Sequence, residues 1–294
     1  MKKWLVVLVI VVLAAGGIAY ERGLIGGKDK SPASSIVPAA GDTQSPHDEP
    51  PSQTPASPDA EDEAADDAEP ADEQEAIPAW AAGNLPGETI RTDGSVAVVT
   101  NPASIYVLVN KERNLPADYV PDDLVVPDVP FSFSGDSPKK LLRKEAAAAL
   151  EKLVAAAKED GIILKAVSGY RSYNTQKALF DSYAKKDGIE AANRYSAYPG
   201  QSEHQTGLTM DISGASVNYQ LTAELGKTEE GIWLAEHAPD FGFIIRYPEG
   251  KEHITGYTYE PWHIRYIGVE AAKAVTESGL TLEQYLGSLE VSAQ

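Results

Sequence analysis

A long acidic stretch, residues 26–78, most limits what this chain can fold into. Pro, Ala, Ser, Asp and Glu dominate it, and residues 42–75 include 13 acidic side chains but no Lys or Arg. Such a segment has too little apolar surface to offset the conformational entropy that is lost on ordering. We therefore predict a disordered linker over residues 26–78, which leaves one folded domain over residues 79–294.

The residues before this linker, 1–25, have a different composition. Met1-Lys2-Lys3 precedes an uncharged run over residues 4–20 that is rich in Val, Leu and Ile. Positive charge before an apolar run is typical of an export or anchor segment, and this run is near the shortest length that spans a bilayer. We predict an anchor that holds the folded domain at the cell membrane, on its outer side. A signal peptide cleaved before Tyr20, which would give a secreted protein, is the alternative.

The charge distribution and the lack of cysteine exclude several functions. The formal net charge is −19, and much of it lies in the linker. Neither part of the chain has a basic patch, so we expect no nucleic-acid partner. The chain contains no cysteine, which excludes disulfides, thiolate metal sites and cysteine nucleophiles.

The order of predicted elements favours an α+β domain, with a small antiparallel sheet and flanking helices. An irregular segment is expected over residues 111–130. Short strands are predicted over residues 104–110, 162–168, 208–212 and 243–246. Helices are predicted over residues 141–158, 175–185, 229–237 and 269–278. A last helix opens at Thr281, which forms a capping-box pattern with Gln284.

Two short polar segments of this domain contain the residue types that bind catalytic metals. They are residues 202–211 (SEHQTGLTMD) and residues 260–263 (EPWH). A catalytic zinc site takes three protein ligands from His and Asp/Glu, leaves a fourth position to water and needs a further carboxylate as base. His204, Asp211 and His263 are therefore candidate ligands, and Glu260 is the candidate base of a metallohydrolase.

The spacing within these segments predicts their backbone. His204 and Asp211 would lie on opposite faces of one straight strand, so a turn near Gly207 must bring them to one point. Pro261 disfavours a helix interior, so we predict an extended or turning segment there and not an H-E-x-x-H helix. A Ser–His–Asp triad built on Ser202 is a weaker interpretation, because no nucleophile-elbow pattern surrounds this serine.

A third segment, residues 167–172 (VSGYRS), places an arginine where a predicted strand ends. The planar guanidinium of Arg171 can bind a substrate carboxylate through two parallel hydrogen bonds. Gln176, in the next predicted helix, can offer an amide to the same ligand. His237 and His253 have no partners at a recognisable spacing, and His47 lies in the linker, so we assign none of the three to the chemistry.

These motifs in this order resemble those of a known family. Ser-Gly-Tyr-Arg-Ser-x3-Gln, Ser-x-His-x2-Gly-x-Thr-x-Asp and Glu-x-x-His are similar to the motifs of VanY-type D-alanyl-D-alanine carboxypeptidases. These zinc enzymes share the fold of the Hedgehog signalling domain and of some phage endolysins. The resemblance covers residues 104–286, including an entrance segment over residues 108–121. Thr209 is the one departure, since related members often carry alanine there.

The resemblance implies a Hedgehog/D,D-peptidase-like domain with one zinc ion per chain. It implies that Glu260 is the general base and acid, and that Arg171 holds the substrate and helps to neutralise charge on the scissile carbonyl. The implied zinc ligands are His204, Asp211 and His263. The implied residues of the substrate pocket are Arg171, Gln176, Ser202 and Tyr247.

The activity implied by the resemblance is removal of the terminal D-alanine from peptidoglycan stem peptides at a Gram-positive cell surface. We also expect the protein to be a monomer. The expected substrate is a pentapeptide that ends in D-Ala-D-Ala. An L,D-carboxypeptidase acting on tetrapeptides stays open, because both reactions need the same metal, base and carboxylate clamp. A non-catalytic wall-binding domain is a further alternative, against which the presence of Glu260 argues. A phage-type endopeptidase fits an anchored chain less well.

Overall fold

The computed structural model of this protein describes residues 77–292. The predicted anchor (1–25), His47 and all but the last two residues of the predicted linker (26–78) lie outside the described residues. Within residues 77–292, no helix combines the length and the apolar character that crossing a membrane requires.

The described part of the chain consists of short strands and helices in irregular order. Its strands are β1 (Ile90–Asp93), β2 (Val96–Val99), β3 (Leu124–Val125), β4 (Leu142–Arg143), β5 (Leu164–Ser168), β6 (Thr209–Gly214), β7 (Phe243–Tyr247) and β8 (Glu260–Tyr266). Its α-helices are α1 (Lys144–Glu159), α2 (Tyr173–Asp187), α3 (Ile189–Tyr195), α4 (Glu229–His237), α5 (Glu252–Thr255), α6 (Val269–Ser278) and α7 (Leu282–Ser292). The pairs β1–β2 and β3–β4 form two small separate sheets.

The main sheet has the strand order β5-β6-β8-β7, and all its neighbouring strands are antiparallel. The segment around Pro261, predicted to be extended or turning, is the first part of the central strand β8. Pro261 lies beyond the residues that pair with β6 and at an irregularity in the register with β7, where a residue without an N–H is tolerated. The predicted α+β fold with a small antiparallel sheet is confirmed.

One face of this sheet packs against α1. The buried residues of α1 recur at three- and four-residue steps, as an amphipathic helix requires. They share one apolar core with residues of the sheet: Ala146, Leu150, Leu153 and Ala157 from α1 meet Met210, Ile212 and Ile264. Side chains alternate along a strand, so Asp211 and His263, which neighbour these core residues, point to the opposite face.

A second apolar core holds the C-terminal helices. Leu282 and Leu286 of α7 are buried there with Trp80 and with Ile244 of β7. The predicted capping box at the start of α7 is confirmed: the Thr281 N–H donates to Gln284 Oε1 (3.2 Å), and the Gln284 N–H donates to Thr281 Oγ1 (3.3 Å). This start places the first turn of α7 close to the main sheet.

Residues 104–110 do not form the predicted strand. Ser104 opens a turn in which its Oγ accepts from the Tyr106 N–H (3.1 Å). The carbonyl oxygens of Ile105 and Val107 accept from Nη2 of the buried Arg265 (2.9 and 2.8 Å) and not from a neighbouring strand. The apolar character of this segment therefore reflects burial of side chains such as Val107, without a ladder of backbone hydrogen bonds.

Candidate metal centre and active-site cavity

The three predicted metal ligands come from two neighbouring strands and one turn. Asp211 of β6 and His263 of β8 are direct partners in the antiparallel register, so their side chains lie together on the sheet face opposite α1. His204 lies in a single 3₁₀ turn, Glu203–Thr206, which ends at Gly207 with φ of 67°. The predicted turn is confirmed. It requires glycine, since a Cβ there would lie 2.8 Å from a methyl of Leu124.

The side chains of His204, Asp211 and His263 fit a metal ion in type and spacing. Asp211 Oδ1 lies 3.6 Å from His204 Nε2 and 3.4 Å from His263 Nδ1, and the three ligand atoms are within 4.8 Å of one another. Asp211 Oδ1 is buried and has no hydrogen-bond partner among the described residues. Because buried polar atoms are nearly always paired, a metal ion on this oxygen would resolve the deficit. Two imidazoles and one carboxylate are a donor set typical of catalytic zinc.

Hydrogen bonds to the other ring nitrogens orient both imidazoles. His204 Nδ1 bonds to the Gly169 carbonyl oxygen (2.8 Å), which leaves Nε2 free for a metal. His263 Nε2 bonds to Glu203 Oε2 (3.3 Å), which leaves Nδ1 free. Partners of this kind set the tautomer and the orientation of metal-binding histidines.

Glu203 is one of these partners, although no role was predicted for it from the sequence. It is fully buried, and its Oε1 accepts from Arg246 Nε (2.7 Å) and from Arg265 Nη1 (2.8 Å). Burial alone would raise the pKa of Glu203, but the charges of the two arginines outweigh it and hold this pKa well below its usual value. The signal in the sequence was the pair of arginines inside the apolar strands β7 and β8, since buried cations need buried acids.

The two histidines have opposite pKa shifts. Burial, together with the charge of Arg171, lowers the pKa of His204 to about 3, so this ring is neutral. Burial alone would also lower the pKa of His263, but the carboxylates of Asp211 and Glu203 outweigh it and raise this pKa to about 9. Without a metal, His263 therefore carries a proton that a cation must displace.

Glu260, the candidate base, stands at the edge of this group. It is paired with Tyr247 in the register of β8 and β7, and its Oε2 lies 3.6 Å from His263 Nδ1. Burial raises the pKa of Glu260 to about 7; His263 opposes this shift and Asp211 adds to it. A carboxyl group that titrates near neutral pH can both accept and return a proton, as a general base and acid must.

A cavity of about 370 Å³ opens over these groups. Every predicted site residue except Gln176 lines it, including Arg171, Ser202 and Tyr247. The remaining wall is largely apolar or aromatic, with Leu179 and Tyr183 of α2 among its residues. The guanidinium of Arg171, three carboxyl groups and an aromatic wall thus face one open cavity.

Gln176 lies behind the wall of this cavity, with 1% of its surface exposed. Its Oε1 accepts from Arg171 Nη1 (2.9 Å), and its Nε2 donates to the Ala197 carbonyl oxygen (2.7 Å) and to Ser196 Oγ (3.2 Å). The predicted direct contact between this amide and a ligand is therefore not what the structure offers, since the amide groups are already bonded. Gln176 instead orients Arg171, whose Nη2 is also bonded to Ser168 Oγ (3.3 Å).

The other histidines of the described chain lie elsewhere. His237 stacks on Trp233 with ring centroids 4.4 Å apart, and its Nδ1 bonds to the Trp233 carbonyl oxygen (2.9 Å). His253, in the short helix α5, is exposed and is not among the residues that line the cavity.

Comparisons with known proteins show the family of this chain. A family model described as VanY, D-alanyl-D-alanine carboxypeptidase, matches residues 139–269. The chain is 51% identical over 195 residues to the putative carboxypeptidase YodJ of Bacillus subtilis, which covers 66% of this chain and 71% of that protein. The structure of the LdcB LD-carboxypeptidase is similar with a TM-score of 0.68 and 46% identity, over 72% of this chain and 97% of that one. The Zn(II) complex of the vancomycin-resistance D,D-pentapeptidase VanY is similar with a TM-score of 0.50 and 34% identity. This similarity covers 62% of this chain and 98% of the VanY chain. The chain therefore belongs to the VanY family of D-alanyl-D-alanine carboxypeptidases.

Proposed function

We propose that this protein is a zinc-dependent carboxypeptidase that removes the C-terminal D-alanine from peptidoglycan stem peptides. The observation that supports this best is the buried group His204, Asp211 and His263, with Glu260 3.6 Å from His263 and Arg171 in the same cavity. Zinc is the proposed metal because the donor set suits it and because the related VanY pentapeptidase was solved with Zn(II).

We assign a separate role in peptide hydrolysis to each of these residues. Zinc, when bound, supplies an acidified water and a polarised carbonyl. Arg171, held by Gln176 and Ser168, binds the terminal carboxylate of the peptide through its remaining N–H groups and so sets the position of the last peptide bond. Glu260 takes the proton of the attacking water and passes it to the nitrogen of the departing D-alanine.

Two further groups are proposed to bind the peptide. The hydroxyls of Ser202 and Tyr247 have no hydrogen bond to another described residue, although both residues are nearly buried and line the cavity. Neither hydroxyl is among the buried atoms without a partner, so both are accessible from the cavity that their residues line, and we expect them to bond to the substrate. The non-catalytic wall-binding alternative does not explain why a carboxyl group that titrates near neutral pH lies beside the ligand set.

For the bond that is cleaved, we propose the last bond of tetrapeptide stems, which joins an L-residue to D-alanine. The motifs led us to expect the D-Ala-D-Ala bond of pentapeptides, but both reactions need the same metal, base and clamp. The choice therefore rests on overall similarity. LdcB, described as an LD-carboxypeptidase, is more similar to this chain than the VanY pentapeptidase, both in identity and in TM-score.

Matched muropeptides test both parts of this proposal. The full-length protein is incubated with zinc and with a tetrapeptide or the corresponding pentapeptide, and mass spectrometry follows the loss of one alanine. We expect loss from the tetrapeptide, none after chelation and almost none with Glu260→Gln. Loss from the pentapeptide alone would restore the D,D-specificity, and no loss from either would refute the catalytic proposal.

We further propose that residues 1–25 anchor the protein in the cell membrane, with the domain outside the cell and in monomeric form. Support comes from the two lysines before an apolar run and from the acidic spacer behind it. Protease treatment of intact cells should digest the domain if it is outside. The mass of the recovered N-terminal peptide separates an anchor that starts at Met1 from cleavage near Tyr20, and analytical ultracentrifugation gives the oligomeric state.

A further inference from the structure

Behind the His263 ring lies a buried set of two acids and two arginines, Glu203, Arg246, Arg265 and Glu283, here called the buried charge network. Arg246 joins the two acids. Its Nε donates to Glu203 Oε1 (2.7 Å), while its Nη1 and Nη2 donate to Glu283 Oε2 (2.9 Å) and Oε1 (2.5 Å). Three of these side chains are fully buried, and Glu283 is 14% exposed. Two positive and two negative charges balance, as buried charges require.

The two oxygens of Glu203 have different partners. Oε1 accepts from both arginines, whereas Oε2 accepts from His263 Nε2. Arg265 is also tied to the backbone, because its Nη2 donates to the Ile105 and Val107 carbonyl oxygens. The outer nitrogens of Arg246 depend instead on one side chain, Glu283 of α7.

We propose that Glu283 is a positioning residue for the metal site, which acts through Arg246 and Glu203 on His263. With Glu283 in place, both outer nitrogens of Arg246 are bonded and the guanidinium reaches Glu203 through Nε. Without the Glu283 carboxylate, these buried N–H groups would turn to the remaining acid of the network, Glu203. They would then compete with His263 Nε2 for Oε2, and the His263 ring would lose the partner that orients it.

This role can be separated from the packing of α7. The helix is held by Leu282 and Leu286, which are buried in the second apolar core, and by the capping box at Thr281. Glu283 also accepts from Asn110 Nδ2 (3.3 Å), a contact that a glutamine oxygen can keep. Replacing only the charge of Glu283 therefore leaves the apolar contacts of α7 in place.

The test compares Glu283→Gln with Glu290→Gln in the full-length protein. Glu290 lies on the same helix and accepts from the Gly87 N–H (2.8 Å), away from the buried charge network. Zinc Kd is measured by competition with a chromophoric chelator. We expect Glu283→Gln to weaken zinc binding roughly 10- to 100-fold, the usual effect of losing a partner of a metal-binding histidine. Glu290→Gln should bind zinc as the wild type does.

A second readout reports the ligand geometry directly. The visible spectrum of the Co²⁺-substituted protein should change in Glu283→Gln and stay unchanged in Glu290→Gln. If Glu283→Gln binds zinc as tightly as the wild type, the inference is wrong. If circular dichroism shows that this variant does not fold, Arg246→Lys is tested instead. Lysine keeps the positive charge but lacks the planar guanidinium that bonds to two acids at once. An unchanged zinc Kd in that variant would equally overturn the inference.

This inference rests on the proposed zinc site, and the two can fail separately. If the wild-type protein binds no zinc, the proposed function and this inference both fall. If the wild type binds zinc and cleaves the peptide while Glu283→Gln has the same zinc Kd, the proposed function stands and only the role of Glu283 is refuted.

Discussion

The metal-free protein should lose stability as the pH rises from 7 to 9, because His263 gives up its proton in that range. Its imidazole lies 3.4 Å from Asp211 and 3.3 Å from Glu203, and these carboxylates outweigh burial and raise the pKa of His263 to about 9. A pKa that is higher in the folded than in the unfolded state adds stability below the unfolded value, about 6.5. This stability is lost as the pH rises through the folded value.

The size of the loss follows from the two pKa values. A group with a pKa of about 9 in the folded state and about 6.5 unfolded contributes roughly 2–3 kcal/mol at pH 7 and less than about 1 kcal/mol at pH 9. The free energy of unfolding should therefore fall by about 2 kcal/mol, which corresponds to about 4–8 °C in Tm for a domain of this size. His204 is neutral and Asp211 is ionised throughout this range. Glu260, whose pKa is about 7, loses the rest of its proton just above pH 7 and adds a smaller fall in the same direction.

Thermal unfolding of the chelator-treated protein at pH 7, 8 and 9 measures this loss. The zinc-loaded protein should not show the fall, because the metal has already displaced the proton. His263→Gln, which has no titratable ring, should lack most of it and keep only the smaller contribution of Glu260. A Tm of the metal-free wild type that does not change between pH 7 and 9 would refute the reasoning, as would an equal fall in His263→Gln.

Three substitutions test the remaining roles. Glu260→Gln should lower kcat roughly 10²- to 10⁴-fold with an unchanged zinc Kd; loss of zinc would instead make Glu260 a ligand. Arg171→Lys should weaken binding of a peptide with a free C-terminal carboxylate about tenfold or more, since one charge-assisted hydrogen bond is lost. If binding of the same peptide with a C-terminal amide is weakened equally in the same calorimetric titration, Arg171 does not bind the terminal carboxylate. Gly207→Ala should destabilise the fold by more than Gly94→Ala. Both glycines have positive φ, but only at Gly207 would a Cβ meet other side chains, those of Leu124 and Arg143 at 2.8 and 3.0 Å. Urea unfolding compares the two variants, and equal losses of stability would contradict a role for these close contacts.

Local sequence patterns were sufficient for most helices of the fold. Helices α4 and α6 have the predicted bounds, and the capping box predicted at Thr281 begins α7. Strand predictions were weaker, since an apolar run can be a strand paired by backbone hydrogen bonds or a buried segment without such pairing. Residues 107–110 are buried, yet the carbonyls of Ile105 and Val107 bond to Arg265, which lies about 160 residues later in the chain. Strands β1 to β4 and helices α3 and α5 were not predicted.

For the site, residue types and spacing were enough to select three side chains that the structure brings together as a possible metal site, His204, Asp211 and His263. They also selected Glu260 and Arg171, which line the same cavity. Only the tertiary structure could show that Gln176 serves Arg171 and that Glu203 serves His263. Glu203 meets Arg246 across 43 residues, and Arg246 meets Glu283 across 37. A carboxylate or an amide has the same chemistry in a cavity wall and in a buried network. Which of the two it joins depends on the packing of segments that are distant in sequence, and no local pattern records that packing.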